Sequence, residues 1–336
     1  MREINLSKFN VRTDLVNDLI SDKISTEEKI KDKNVTISRI YIDKNLSKKI
    51  NREVGNYTTI YFKDITDSTN FKRVYKHFYN ELSLIIKKNN IKDNDSILVV
   101  GLGNENSTPD SLGVKTAKSV IVTKHIYDIT GMVEDGYKIS SIFIPGVMGK
   151  TGIESSELLN KAIEIVNPNF IIVIDALASS SIDRLCKCIQ ITDTGINPGS
   201  GIGNNRKEIS FKSTKTKVIA IGVPMVVDAV TIVSDTIDYI KKHFSYSINS
   251  NENKDKLIPS NKINYLDFNK KLTNDQNKYL LGEIGFLTDE EKKSLLYDVL
   301  YPVNKNLIVT PNDVDFLIER LVKLLSKGIN NIIHYK

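Results

Sequence analysis

The chain has 336 residues, of which 40% are apolar and 26% charged. That is enough for one large domain or two small ones around a substantial core. The net charge of +6 is spread along the whole chain, which argues against a clustered nucleic-acid face, and no run approaches the roughly 18 apolar residues of a membrane span.

The N-terminal stretch MREINLSKFNVRTDL has no apolar h-region and no small-residue cleavage site, so it does not read as a secretory signal. Glu27-Glu28-Lys29 and the charged residues up to Asn34 read as an N-terminal arm with a helical start. Ile37–Ile42 and Thr58–Phe62 are β-branched runs and predict strands. Phe71, Val74, Tyr75, Phe78, Leu82 and Ile85 recur at helical spacing over 71–87. Ile97–Val100 predicts a buried strand, followed by a Gly/Asn/Pro-rich loop and a helix over 110–124. A strand at 142–144 and a helix at Ser155–Val166, stopped by Asn167-Pro168, come next. Phe170–Ile174 predicts a strand ending at Asp175; 189–191 and 218–223 predict two more, and 225–244 a long helix. The Asn/Lys/Ser-rich stretch 245–278 reads as an irregular, mobile excursion. Helices return at 288–300 and 313–325. Strands alternating with helices predict an α/β fold with a largely parallel sheet. Cys186 and Cys188 are too local to staple a scaffold and fit a reduced, cytosolic chain.

In open α/β sheets, sites gather at the carboxyl ends of strands. Three such ends are conspicuous: Val99–Asp110, Val173–Leu177, and Gln190–Gly195 leading to Asn204. Asp110, at a helix start, has an ordinary explanation as a cap. Asp175 follows four apolar residues, and its ordinary explanation is a strand-end hydrogen-bond acceptor. Together, at the tips of neighbouring strands, they form a candidate carboxylate pair. Two close carboxylates do not both ionise cheaply, so one holds a proton and the other can activate water. Asn104, Asp193, Gly199 and Ser200 are candidate supporting or substrate-binding residues in the loops around the pair.

Rival motifs are incomplete. Gly101-Leu102-Gly103 lacks the third glycine of a dinucleotide fingerprint, and Gly149-Lys150-Thr151 lacks the upstream glycine of a phosphate loop, where Ile144 stands. Pro198 occupies the first glycine position that a nucleophile elbow around Ser200 would need. His77, His125, His243 and His334 are scattered, with no H-E-x-x-H helix.

GLGNENSTPDSLG, IPGVMGKTGIESSE, VIDALASSSIDRL, IQITDTGINPGSGIGNNRKEIS and VIAIGVPMVVDAVTI, in this order, resemble the spore germination protease family. The resemblance extends from Val11 to Pro311. It implies a three-layer α/β fold with a mainly parallel sheet, similar to the hydrogenase-maturation proteases. It implies an endopeptidase that begins the degradation of small acid-soluble spore proteins at germination, in the cytoplasm of the forespore and the spore core. It implies a homotetramer made as a self-processing zymogen, without a cofactor and without direct contact to nucleic acid or membrane. The family's aspartates fall on Asp110 and Asp175, and its propeptide cleavage on the Asp14–Leu15 bond. Residues 1–14 are then a propeptide arm and 15–336 a single peptidase domain. The chain departs from the family pattern at Glu105, Ser107 and Ser179-Ser180. A metal-dependent maturation-type protease using the same aspartates as ligands is the alternative. A non-enzymatic DNA-associated spore protein would instead show steep salt dependence of DNA affinity.

Overall fold

The computed structural model describes residues 13–19, 27–92, 94–199, 207–249, 265–300 and 307–334. The chain divides into two compact units, one formed by Arg12–Val227 with Thr310–Lys336 and one that includes Asp228–Val309.

In the first unit, apolar β-branched runs supply eight strands of a sheet. They are β1 (Glu27–Asp32), β2 (Val35–Ile42), β3 (Gly55–Phe62), β4 (Ile97–Gly101), β5 (Ser140–Phe143), β6 (Phe170–Ser179), β7 (Cys188–Thr192) and β8 (Lys217–Asp228). Their spatial order is β1-β2-β3-β7-β8-β6-β4-β5. The β5-β4-β6-β8 part is parallel, and the four remaining pairings are antiparallel. The sheet is therefore mixed, with its parallel strands in and beyond the centre, rather than mainly parallel. One cause is the charged segment expected to start a helix. Glu27–Asp32 is instead an edge strand, turned back on β2 through Lys33 at φ 51. A tight turn joins antiparallel strands, whereas parallel ones need a crossover.

The helices of this unit are α1 (Lys44–Ile50), α2 (Ser68–Lys88), α3 (Leu112–Lys118), α4 (Lys124–Thr130), α5 (Met148–Thr151), α6 (Ser155–Val166), α7 (Phe211–Thr214) and, near the C-terminus, α11 (Val314–Ile333). Alternate strand residues serve opposite faces. Leu98, Val100, Leu102, Ile171, Val173 and Val218 pack with Leu159 of α6. The other face receives α2, α3 and α11. Gly328 of α11 admits the Phe78 ring of α2: a Cβ there would lie 2.5 Å from it. Arg39 of β2 bonds Glu81 of α2 through both Nε (2.8 Å) and Nη2 (2.7 Å), and this pairing raises the guanidinium pKa further.

Helix α6 spans the residues its pattern predicts and ends at Asn167, φ 47, ahead of Pro168. Three other expectations are corrected. The helix expected over 110–124 stops at Lys118, because Asn330 of α11 satisfies the next backbone groups: its Oδ1 accepts from Ile121 N (3.0 Å) and its Nδ2 donates to Ser119 O (3.1 Å). Strand β8 does not end at Val223. It passes through Pro224, which lies beyond the last pairing of β7 at Gly222 and so has no ladder partner to fail on that side. Strand β6 does not end at Asp175 but continues to Ser179, paired with β8.

In the second unit, α8 (Ala229–Asn249), α9 (Asn274–Leu281) and α10 (Asp289–Leu300) are the main elements. The stretch expected to be irregular, 245–278, is helical at both ends. A Thr273/Gln276 capping box starts α9, and residues 250–264 lie outside the described ones. Lys292 of α10, fully buried, donates to Asp238 of α8 (2.6 Å) and Asp289 (3.1 Å). No helix among the described residues is long and apolar enough to cross a membrane.

His334 closes the first unit. Its Nδ1 accepts from Lys138 N and its Nε2 faces Ile121 O, each at 3.3 Å, an arrangement that fits the neutral ring. Burial, with some help from Lys138, lowers its pKa below 6.5. The folded chain thus disfavours the proton. The stabilisation is complete above the unfolded value and is lost as pH falls through the folded one. Wild-type denaturation midpoints measured from about pH 7 down to about pH 5 should fall more steeply than those of His334→Gln.

Candidate functional site

The site begins where β4 runs out. Leu102 N continues the ladder to Ile174 O (2.9 Å). The chain then turns at Gly103, φ 107, whose missing side chain makes room for Asp110: a Cβ would lie 2.0 Å from Asp110 O. Asn104 N donates to the Asp110 carboxylate (2.8 Å) and also to Asp110 O (3.2 Å). Asn104 Oδ1 accepts from Asn106 N (3.0 Å). Asp110 is therefore not the cap of α3. The residue preceding that helix is Ser111, without a side-chain cap bond, and the Asp110 carboxylate closes its own loop. Gly113 lets α3 lie directly on the strands, since a Cβ there would meet Ile174 O at 2.3 Å.

Asp175 belongs to the adjacent strand, one residue beyond Ile174. It is buried, 6% exposed, and its Oδ1 accepts from Ala176 N (2.9 Å). Asp110 thus lies in the loop that follows β4, and Asp175 on β6, the strand paired with β4; Asp175 sits inside β6 rather than at its tip. Glu105 pairs with Lys118, which holds its carboxyl below the usual range.

Past Asp175, β6 supports a second segment. Asp14 N donates to Ala178 O (3.0 Å), and Ala178 N donates to the Asp14 carboxylate (2.9 Å). Leu15 is fully buried against Leu177 and Cys188. Thr13 is buried as well; its hydroxyl accepts from Leu15 N (3.1 Å) and donates to Asp18. The Asp18 side chain is wholly inaccessible and is held by Ser180 N (2.8 Å), Ser179 Oγ (3.3 Å) and Arg184. Arg52 Nη2 donates to Thr13 O (2.6 Å). Gln190 of β7 reaches the same segment, with Oε1 accepting from Val16 N (2.9 Å) and Nε2 donating to Asp14 O (3.4 Å).

This segment borders a cavity of about 640 Å³, lined among others by Asp14, Arg52, Tyr57, Leu177, Gln190 and Gly222. Burial raises the Tyr57 phenol pKa, against the Thr194 hydroxyl that bonds it.

The remaining candidates follow β7. Asp193 accepts from Asn56 N (2.8 Å), Asn56 Nδ2 (2.7 Å) and Asn89 Nδ2 (3.3 Å), and so ties the end of β7 to β3 and α2. Gly199 occupies a turn at φ 71. Ser200 lies outside the described residues. Burial pushes both cysteine thiols up to about 12, which leaves them protonated and inert. Among the described residues, no three His, Cys, Asp or Glu side chains cluster as metal ligands would. Sequence reasoning missed Asp18, Arg52, Arg184 and Gln190. Each acts on a partner remote in sequence, and only the pairing of strands brings them together.

The sequence profile of the germination proteases matches residues 6–336. The germination protease of Priestia megaterium is 41% identical over 359 aligned positions, covering 100% of this chain and 96% of that protein. Those of a Geobacillus species and of Bacillus cytotoxicus are each 39% identical, with 99% of this chain and 96% of theirs covered.

Gly103→Ala should force a side chain into a left-handed backbone and against Asp110 O. Such strain costs about 1–3 kcal/mol. The variant should melt several degrees lower and lose peptidase activity beyond what its melting explains, as measured by calorimetry beside an activity assay.

Proposed function

We propose that this chain, which belongs to the germination protease family, is an endopeptidase that hydrolyses peptide bonds with water activated between Asp110 and Asp175, and that its first substrate is its own Asp14–Leu15 bond. The observation that carries this reading is the seating of Thr13-Asp14-Leu15 on Ala178, three residues along the strand from Asp175. Main-chain pairing to an exposed strand edge is how extended peptides are commonly held. The apolar Leu15 fills a buried pocket while Asp14 satisfies the main chain of Ala178.

In the reaction, an ionised aspartate takes a proton from water. The hydroxyl oxygen adds to the Asp14 carbonyl carbon, and the carbonyl π electrons move to its oxygen, which receives the proton of the other, protonated aspartate. Collapse restores the C=O, breaks the C–N bond and leaves its electron pair on Leu15 N, which picks up a proton. One water is consumed, and the products are a carboxyl terminus at Asp14 and an amino terminus at Leu15. Shared protons in carboxylate pairs serve such chemistry well.

The biological substrates we assign are small acid-soluble spore proteins, cleaved in the spore core by a homotetramer after loss of the 1–14 arm. The family resemblance supports this assignment. No nucleic acid, membrane or cofactor enters the reading. The alternative keeps Asp110 and Asp175 but gives them a metal ion to hold.

Mass analysis of purified full-length chain should show a product beginning at Leu15, and Asp110→Asn or Asp175→Asn should suppress it by at least about 10³-fold, a loss of the size seen for essential catalytic groups, with folding retained. A fully active Asp175→Asn chain sinks the mechanism. Loss of processing in chelator, restored by metal, selects the alternative.

A further inference from the structure

We propose that Gln190 is a catalytic residue of this reaction, the donor that polarises the scissile carbonyl of Asp14 and fixes the peptide on both sides of the bond. This rests on the reading of Asp14–Leu15 as a cleaved bond.

Gln190 lies in the middle of β7 and is 6% exposed. Its amide bridges the segment: Oε1 accepts from Val16 N at 2.9 Å, and Nε2 donates to Asp14 O at 3.4 Å. The orientation of the amide follows from chemistry. Val16 N–H can only donate, so the oxygen must face it, and the nitrogen is thereby turned to the Asp14 carbonyl. That carbonyl oxygen gathers negative charge as water adds to its carbon, until the protonated aspartate neutralises it. A donor somewhat long to the ground-state oxygen and closer to the tetrahedral one stabilises the transition state selectively.

The strand register places Gln190 opposite the catalytic strand. Gly222 of β8 is the partner of Gln190 on one side and of Asp175 on the other. Residues in lateral register present their side chains to the same face of a sheet. Asp175 and Gln190 therefore share a face, two strand spacings or roughly 10 Å apart at their Cα atoms, with a glycine between them. Leu177, Thr192, Ala220 and Gly222 lie on this face and line the cavity together with Gln190; Asp175 stands two residues before Leu177 on β6, outside that lining. A water attacking from the aspartate side and a donor at the carbonyl oxygen from the β7 side is the division of labour that peptide hydrolysis requires.

The test is the single-turnover rate of self-processing in the purified full-length chain, followed by mass analysis across pH. Gln190→Ala should slow release of the Leu15 product on the order of 10²-fold, the typical cost of one oxyanion donor. Gln190→Glu keeps the shape and the acceptor for Val16 N but loses the donor when ionised. It should be slow at neutral pH and recover as the new carboxyl takes a proton. The other titratable groups that line the cavity, Asp14, Arg52, Glu53, Tyr57, Lys207 and Glu208, are unchanged by the substitution, so the difference between the two profiles reports residue 190. A merely structural glutamine would give no such recovery.

A Gln190→Ala rate within threefold of wild type overturns the assignment, and so does a Gln190→Glu profile parallel to that of wild type. Should Gln190→Ala not fold, the Gln190→Glu profile alone decides. Asp175→Asn runs beside them. A silent Asp175→Asn chain with a normal Gln190→Ala chain overturns this assignment only. Normal processing in Asp175→Asn overturns the aspartate reading and this assignment with it.

Discussion

The site depends on the length by which strand β6 outruns β4. β4 pairs with β6 only as far as Gly101 opposite Ile174, while β8 follows β6 to Ser179. Beyond Ile174, β6 therefore has one neighbour where it had two. Backbone N–H and C=O groups left without a ladder partner must find another or stay wet. Ala178 gives both of its groups to Asp14. An unpaired edge is ordinarily a liability in a sheet, and here it is the surface on which a peptide is laid.

Holding that peptide requires burying charge. The Asp18 side chain is inaccessible to solvent, and an unpaired buried carboxylate is strongly destabilising. Arg184, Ser179, Ser180 and Thr13 surround it. These partners join two remote parts of the sequence: Thr13 precedes the Asp14–Leu15 bond, Ser179 ends β6, and Ser180 and Arg184 follow it. Asp18 Oδ2 meets its hydrogen-bond donors, and the carboxylate meets Arg184, when the N-terminal segment lies against the strand that carries Asp175. Leu15 sits in its pocket beside Leu177 in the same arrangement. Ser179 Oγ and Ser180 N both donate to Asp18 at this point.

Local pattern was a good guide wherever one element decided its own structure. Helix α6 carries its own stop signal, and Ile97–Val100 and Phe170–Ile174 are apolar on both faces because both are covered. The pattern failed where a distant partner decided. Glu27–Asp32 reads as a charged helix start because an edge strand needs no apolar alternation; β2 supplies the ladder, and Arg39 answers Glu28 across it. Val120–Val122 reads as helix because nothing local announces Asn330. Asp110 reads as a cap because its loop closure depends on Gly103 at a positive φ. Asp110 was legible as a carboxylate in the glycine-rich loop after β4, and Asp175 as one that follows an apolar run, although it lies inside β6 rather than at its end. Gln190 was not, since a glutamine inside an apolar strand carries no signal until the chain that it touches is known.

Gly222 shows how narrow the geometry is. It stands between Gln190 and Asp175 in the sheet, and a Cβ there would lie 2.3 Å from Leu177 Cδ1. The Leu177 side chain occupies the space the glycine leaves, and Leu15 packs against Leu177. An alanine at 222 would push Leu177 toward Leu15 and, through it, displace the Asp14 carbonyl from Gln190. A shift of about 1 Å at the reacting atom can cost as much as 10²-fold in rate. A residue with no side chain, on a strand that carries neither aspartate, would thereby help set the position of the Asp14 carbonyl.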